Sequence, residues 1–466
     1  RAIGHEYSRL PLTEGAHIVH ANALTTDWSS VVTPEDLHFI FGNPPFLGSR
    51  TMDKGQKADL RAVAKGYPQA GFLDFVTAWY ILADRMMAQN PAIEAAFVST
   101  NSISQGEQPG ILWPKLYANG NHITFAHRTF RWMNAARGVA AVHCVIVGFA
   151  RTARTPALLF DYPDIAGEPV LDLVESISPY LIAGDEFVVS NRQEQISGAP
   201  RMAFGNMPAD GGHLLLGEAE KEELIRAEPL AKEWILPCLG AQELIQGKRR
   251  YALWLEGITP AQLRSMPRVS ARVAAVRSVR LDSARPELAD TPHLFAQRTQ
   301  SPDESVLVIP SVSSERRDYV PMELLTPGTV VTNLCLAIPG APAELFALLT
   351  SRMHMDWLRV VGGRLKSDLR YSKDVVYNNF VLPPVDEGQR ATLAELGQSI
   401  LNARALYPDS TLADLYDPTT MPSELRKAHS ANDDYVDRLY RDQGFTSPDE
   451  RVALLLDLVK EKDTAG

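Results

Sequence analysis

Along the first 150 positions apolar residues come in short runs that end on polar groups, and the runs alternate with amphipathic stretches. Leu37–Gly42 (Leu-His-Phe-Ile-Phe-Gly) gives way to Asn43, and Ala95–Asn101 (Ala-Ala-Phe-Val-Ser-Thr-Asn) closes on its own asparagine. His17–His20, His122–His127 and Ala140–Ala150 complete the set. Runs this short, bounded by turn residues, predict strands. Helical spacing between them covers Gly55–Lys65, Phe72–Met87 and Ile111–Tyr117. Strand and helix in alternation predict an α/β domain with a parallel sheet and polar residues gathered at the carboxyl ends of its strands. From about Asp161 to Pro383 the alternation weakens and proline and glycine turns multiply, which predicts a separate α/β domain. Ala391–Ala405, Met421–Ser430, Ala431–Arg441 and Pro448–Lys460 then predict a small helical bundle, the last helix opened by Ser447-Pro448-Asp449-Glu450.

The run before Asn43 delivers the chain into Asn43-Pro44-Pro45-Phe46. Two prolines hold φ at about −65° and bring no backbone donors, so the turn is stiff and rich in acceptors. The Asn43 side-chain carbonyl and the Pro44 backbone carbonyl can both accept from one exocyclic amino group, and Phe46 offers a face to a flat heterocycle. The turn therefore suits an unpaired nucleobase whose amino group is to be alkylated. By composition it suits an ordinary stiff turn as well, since Asn-Pro starts many of them. The residues that follow decide.

At 466 residues the chain has room for several domains. Its 45% hydrophobic and 22% charged content is that of a globular protein. No apolar run approaches the roughly 20 residues of a membrane span, and no signal peptide opens the chain, so no membrane partner is expected. Cys144, Cys238 and Cys335 stand far apart without metal-ligand spacing, which predicts buried thiols in a reducing cytoplasm and no metal site. A net charge of −10 speaks against a uniformly basic nucleic-acid binder and leaves phosphate contact to local basic faces.

Longer stretches carry a resemblance. Gly42-Asn-Pro-Pro-Phe-Leu-Gly48, Leu73-Asp-Phe-Val-Thr-Ala-Trp-Tyr80, Phe97–Gln108 and Phe125–Trp132 resemble the methyltransferase core of the MmeI-like restriction-modification enzymes. These are gamma-class adenine amino-methyltransferases fused to a target recognition domain. The likeness continues through Gly211–Leu216, Gly240–Ile245, Ile309–Arg317 and Arg364–Tyr371, and so covers nearly the whole chain. It implies direct, in-line methyl transfer from S-adenosylmethionine to adenine N6, with no covalent enzyme intermediate. Asn43 and the Pro44 carbonyl would hold the amino hydrogens, in a turn stiffened by Pro45. Phe46 would stack on the flipped base. Trp132 matches the family's second stacking position, against its other reading as a core tryptophan. Asn22 falls where the family carries a polar contact, often Asp, to the cofactor adenine. Phe75 falls where an aromatic packs on that adenine, with Asp74 beside it; a helix-core Phe and a helix-face charge fit these two as well.

A complete enzyme of this type opens with a glycine-rich loop and then an acidic residue ending its second strand. Neither precedes Asn22, where Gly4 and Gly15 stand isolated. The implied fold is therefore α/β, in three parts. A partial S-adenosylmethionine-dependent, Rossmann-like methyltransferase sheet spans 1–155, its first two strands absent. An α/β target recognition domain spans 156–385, and a helical C-terminal domain spans 386–466. An upstream segment or a second fragment would complete the sheet and cover an otherwise open strand edge. On this expectation the chain alone would be inactive.

Positive charge in the middle region is local. Lys248, Arg249 and Arg250 sit in a Gly-Lys-Arg-Arg-Tyr turn; Arg264, Arg268 and Arg272 recur every four residues, interrupted by Pro267, which starts a new helix. Arg316 and Arg317 follow Ser313-Ser314, and Arg364, Lys366 and Arg370 form a third group. Arginines four apart share a helix face and can lie along the backbone of double-stranded DNA, and arginine can also read guanine edges. A solvated helix face is the plainer reading of each. The favoured reading is the sequence-specific DNA adenine-N6 methyltransferase portion of a restriction-modification enzyme. Its rival is a DNA-binding specificity fragment with no methyl transfer of its own. Similar turns serve cytosine N4, protein glutamine and RNA bases, and the DNA-reading middle region argues against those.

Overall fold

The computed structural model describes residues 16–132 and 142–465. Internal contacts divide the chain into two compact units, Arg1–Ile103 with Ile111–Leu181, and Ser104–Gly110 with Ile182–Gly466.

The first unit is built on six strands: β1 (Phe39–Gly42), β2 (Glu94–Thr100), β3 (His122–Trp132), β4 (Val142–Ala150), β5 (Ala157–Asp161) and β6 (Val170–Val174). Their order is β1-β2-β4-β3-β5-β6. β1 and β2 are parallel, while β4 runs antiparallel to both β2 and β3. The sheet is therefore mixed rather than wholly parallel, yet β1, β2 and β3 point the same way and their carboxyl ends share one edge. β5 and β6 extend this sheet to Val174, past the boundary expected at 155.

Helices α1 (Lys54–Val63), α2 (Thr77–Gln89) and α3 (Pro109–Ala118) accompany the sheet. Asp53 caps α1, its carboxylate accepting from Gln56 N–H while the Gln56 side chain returns the bond. The core packs Tyr80 of α2 and Trp113 of α3 on Phe97 and Phe149 of the sheet, with the Tyr80 and Phe149 rings stacked 5.2 Å apart. Gly148 is required here, because a Cβ on it would lie 2.0 Å from the Phe125 ring.

The strand expected at His17–His20 does not form; those residues are exposed, Ile18 at 83%. A lone segment has no ladder to complete its backbone hydrogen bonds. Among the described residues β1 is consequently the edge of the sheet, and Phe39 and Phe41 stand 64% and 82% exposed. Gly4, Gly15 and the first two residues of the run expected at Ala140–Ala150 lie outside the described residues.

The second unit holds three small sheets and most of the helices. Val306–Pro310, paired with Glu323–Leu325 and Cys335–Pro339, is buried along its whole length. A three-stranded sheet joins β7 (Val312–Ser313) to the hairpin β8 (Gly363–Leu365) and β9 (Asp368–Arg370). Pro267 does divide the arginine-rich stretch into α4 (Pro260–Arg264) and α5 (Pro267–Leu281). Helix α6 (Arg352–Val361) precedes the hairpin, and α7 (Glu387–Ala405), α8 (Ser423–Tyr440) and α9 (Pro448–Ala465) form the C-terminal helical region. The two helices expected over Met421–Arg441 are one. No Gly or Pro interrupts Ser423–Tyr440, and the buried face of Leu425, His429, Asn432 and Val436 runs through the join.

Ions hold this region together from inside. Arg451 on α9 is 4% exposed and meets Asp437 of α8 at 2.6 Å and Asp356 of α6 at 3.3 Å. All three cysteines are free and buried, and burial pushes the Cys144 thiol up to about 11. No helix among the described residues is long and apolar enough to cross a membrane.

Candidate active site

Three strand ends define one edge of the first sheet. Asn43 follows β1, Asn101 follows β2, and Trp132 ends β3. Thr100 of β2 and Phe130 of β3 both pair with Cys144 of the intervening β4, so they stand level across the sheet. Asn43 and Trp132 are thus separated laterally by three strand spacings, roughly 14 Å.

The turn itself presents free acceptors. Asn43 is exposed and its carboxamide makes no hydrogen bond with a described residue. No described backbone donor takes the Pro44 carbonyl either. Pro44 is buried, which anchors the turn, and the half-buried Phe46 ring packs on no other described aromatic ring. Two stiffly held acceptors and an open aromatic face therefore lie within four residues.

Asp74 fixes the chain just beyond them. Its Oδ1 accepts from Ser49 N–H at 2.8 Å and its Oδ2 from the Ser102 hydroxyl at 2.7 Å. Ser102 lies 2.8 Å from the Thr100 hydroxyl at the end of β2, and Phe75 N–H donates to the Leu47 carbonyl at 2.9 Å. Asp74 and Phe75 thereby clamp Leu47–Ser49 and tie the turn to the neighbouring strand end. The Phe75 ring is itself buried, edge-on to Trp79 at 5.4 Å.

A cavity of about 320 Å³ lies against the turn, with Trp28, Trp79 and Phe97 facing Gly42–Pro45. None of the three residues expected to touch a cofactor lines it. Asn22 Nδ2 donates to Asp59 at 2.8 Å and its Oδ1 accepts from Leu24 N–H. Its backbone carbonyl takes the N–H of Thr25 and Thr26, shaping the loop that carries Trp28. The Trp28 indole donates to the Ala23 carbonyl at 2.9 Å, which locks the ring in place. Trp28 and Trp79 are the aromatic walls that sequence reasoning missed. Trp79, four residues after Phe75, was legible from the helical spacing of that stretch; Trp28 was not, because its loop has no periodic pattern.

At the end of β3, Trp132 is 40% exposed and tilted against Phe130 at 6.0 Å. Phe130 stacks on Tyr162, whose hydroxyl is 2.8 Å from His127 Nδ1, and His127 stacks on Phe160 at 4.2 Å. Burial pulls the His127 pKa down, so the imidazole acts here as an aromatic plate. Trp132 is thus the exposed end of an aromatic row, outside the core.

In the second unit the basic residues separate into different roles. Arg268 bonds Glu223 at 3.0 Å; Arg272 bonds Glu220 at 2.9 Å and the His213 carbonyl at 3.0 Å. These two hold α5 to Glu218–Ala227, and Arg264 is exposed on the separate α4. Lys248 and Arg249 are exposed, whereas Arg250 lies 3.7 Å from Glu243. The other two groups converge. Val312 pairs with Arg370 and Arg364 with Leu369, so the Arg316–Arg317 loop and the β8–β9 hairpin belong to one small sheet. Arg364 is anchored to Glu315 at 3.8 Å, and the Arg317 carbonyl accepts from Arg359 at 3.1 Å. Arg316 lies 3.7 Å from Asp417. Lys366, at the hairpin tip with φ of 59°, and Arg370 are exposed.

Residues 2–161 match the MmeI DNA-methyltransferase domain, 183–384 the MmeI target recognition domain, and 385–465 the MmeI C-terminal domain. The chain is 38% identical to DNA methyltransferase A of Bacillus subtilis (strain 168) over 458 residues, 97% of this chain and 51% of that protein. Its structure is similar to that of the Type IIL restriction-modification enzyme MmeI in complex with DNA, with a TM-score of 0.87 and 41% identity over 98% of this chain and 61% of that one. The chain thus spans between half and two thirds of the length of these relatives. It belongs to the MmeI-like family of restriction-modification enzymes and carries, in that order, the family's DNA-methyltransferase, target recognition and C-terminal domains.

Proposed function

We propose that the protein methylates adenine N6 in duplex DNA at a specific sequence, using S-adenosylmethionine and a base flipped out of the helix. One observation supports this most: the unclaimed acceptors of Asn43 and Pro44 stand beside the unstacked face of Phe46. An amino group on a flat base has two hydrogens to give and one ring face to cover. When both hydrogens are held, the nitrogen pyramidalises and its lone pair turns toward the methyl donor. Phe46, and Trp132 from the far strand, would cover the ring and offset part of the few kcal/mol of unstacking.

The cavity beside the turn suits the cofactor's adenine, being walled by Trp28 and Trp79 and large enough for a purine. When bound there, S-adenosylmethionine supplies the electrophilic methyl. Asn22 would act through the loop it shapes around Trp28, and Phe75 by backing Trp79. Asp74 would act by holding the turn. The exposed edge of β1, with Phe39 and Phe41 bare, supports completion of this sheet by further strands, and we propose that transfer needs them. The exposed Lys366 and Arg370 on a two-stranded ribbon fit base reading in the major groove. Lys248, Arg249, Arg264 and Arg316 fit phosphate contact, with Arg317 and Arg364 supporting the ribbon. Arg250, Arg268 and Arg272 reach DNA only if their glutamate partners release them.

The test is transfer of labelled methyl to unmodified genomic DNA by the full-length protein, followed by digestion to nucleosides. Label in N6-methyladenine is the expected result. Label in N4-methylcytosine would move the target, and sequence-specific binding without any transfer would leave a recognition module.

A further inference from the structure

A second cavity, about 400 Å³, begins where the clamped loop ends, at Ser49. Its floor is apolar, from Met52 and Leu60, and its rim carries Ser49, Arg50, Lys57 and Arg61. Lys57, Leu60 and Arg61 share one face of α1 by their spacing, and Gly71 leaves the opposite wall open, since a Cβ there would meet nothing within 4 Å. None of the three cationic side chains makes a hydrogen bond or ion pair with a described residue, and no carboxylate lines the cavity. In a chain of net charge −10, where many other arginines are paired with carboxylates, three converging free cations are unusual.

We propose that this cavity binds a backbone phosphate of the DNA strand that carries the flipped base. The inference rests on reading Asn43–Phe46 as the base-holding turn. A base drawn onto Phe46 brings its flanking phosphates with it. Ser49 is three residues beyond Phe46, at most about 11 Å of chain, so the cavity lies within reach of them. A phosphodiester has one negative charge and two acceptor oxygens, which suits an arginine fork with a second cation alongside. The cofactor does not fit this place: its sulfonium and ammonium outweigh its single carboxylate, and a cavity with three cations repels a net cation. The Asp74 bond to Ser49 then connects phosphate and base, fixing the cavity rim and the base turn with one carboxylate.

The experiment uses the full-length protein with unmodified genomic duplex DNA, and the single variants Arg50→Ala, Lys57→Ala and Arg61→Ala. DNA affinity is measured across a salt series, and KM is measured separately for DNA and for S-adenosylmethionine. Loss of about one unit from the salt slope for each cation that grips phosphate is expected, with a higher KM for DNA and an unchanged KM for the cofactor. Gly71→Asp, which places a carboxylate at the open wall without a clash, should weaken DNA binding in the same way. Unchanged slopes in all four variants would overturn the proposal, as would a rise in KM for the cofactor alone. A protein that transfers no methyl but shows the slope change would instead sink the catalytic reading and leave the phosphate site standing.

Discussion

The Asp74 carboxylate holds Ser49 N–H at 2.8 Å on one oxygen and the Ser102 hydroxyl at 2.7 Å on the other, so the loop after Phe46 and the end of β2 share one anchor. Asp74→Asn keeps the volume but turns an acceptor into a donor facing another donor. The turn should shift on the order of 1 Å, and methyl transfer should fall by about 10- to 100-fold. Single-turnover rates at saturating DNA and cofactor check this. A pure cofactor contact would instead raise KM for S-adenosylmethionine alone.

Lys366 and Arg370 are exposed on the β8–β9 ribbon, whereas Arg272 is tied to Glu220 and the His213 carbonyl. Arg370→Ala should cost about 1–3 kcal/mol of specific binding and relax the preference at one base pair. Arg272→Ala should leave that preference intact and cost stability instead. Methylation-site sequencing of DNA treated with each variant separates the two.

Arg451 neutralises Asp437 and Asp356 where all three are buried. Arg451→Met strands Asp437 and leaves Asp356 only Arg359 at 3.6 Å, and about 3–5 kcal/mol of stability should be lost. The exposed Arg268–Glu223 pair is the control: Arg268→Met should cost at most about 1 kcal/mol. Urea unfolding at neutral pH reads both.

His354 is fully buried, its Nε2 2.8 Å from the Tyr371 hydroxyl, and burial lowers its pKa to about 3. The folded state keeps it neutral while the unfolded chain protonates below its ordinary value of 6.5. Its contribution is therefore complete above that pH and is lost as pH falls toward 3. By pH 5 the loss should reach about 2 kcal/mol. Buried His429, also pulled down, adds in the same direction. The urea midpoint of His354→Gln should fall less steeply with acid than that of the parent.

Local pattern made much of this molecule readable. The run ending at Asn43, the two prolines and the polar strand ends are set by neighbours in sequence, and the structure places them at one sheet edge. Long-range pairing was not readable. Arg280 looks in sequence like Arg277 or Arg285, yet it is 1% exposed and donates to five backbone carbonyls, those of Pro208, Ala209, Leu288, Thr291 and Leu294. Nothing in its helix announces those partners, which come from two separate loops, one 71 residues upstream and one just after the helix. The same holds for Arg268 and Arg272, whose glutamates lie more than 40 residues away. Asp74 carries a charge on what reads as a helix face, and only the meeting of two other segments makes it a clamp. The Arg316–Arg317 and Arg364–Arg370 groups became one sheet for a like reason: strand pairing joins what sequence keeps apart.

In the proposed reaction Asn43 and the Pro44 carbonyl hold the amino group that receives the methyl. Asn43→Ala in the full-length protein tests this most directly, with single-turnover transfer, DNA affinity and cofactor affinity measured side by side. Transfer should fall by at least about 10²-fold while both affinities change little. Transfer at the parental rate by Asn43→Ala would contradict the account.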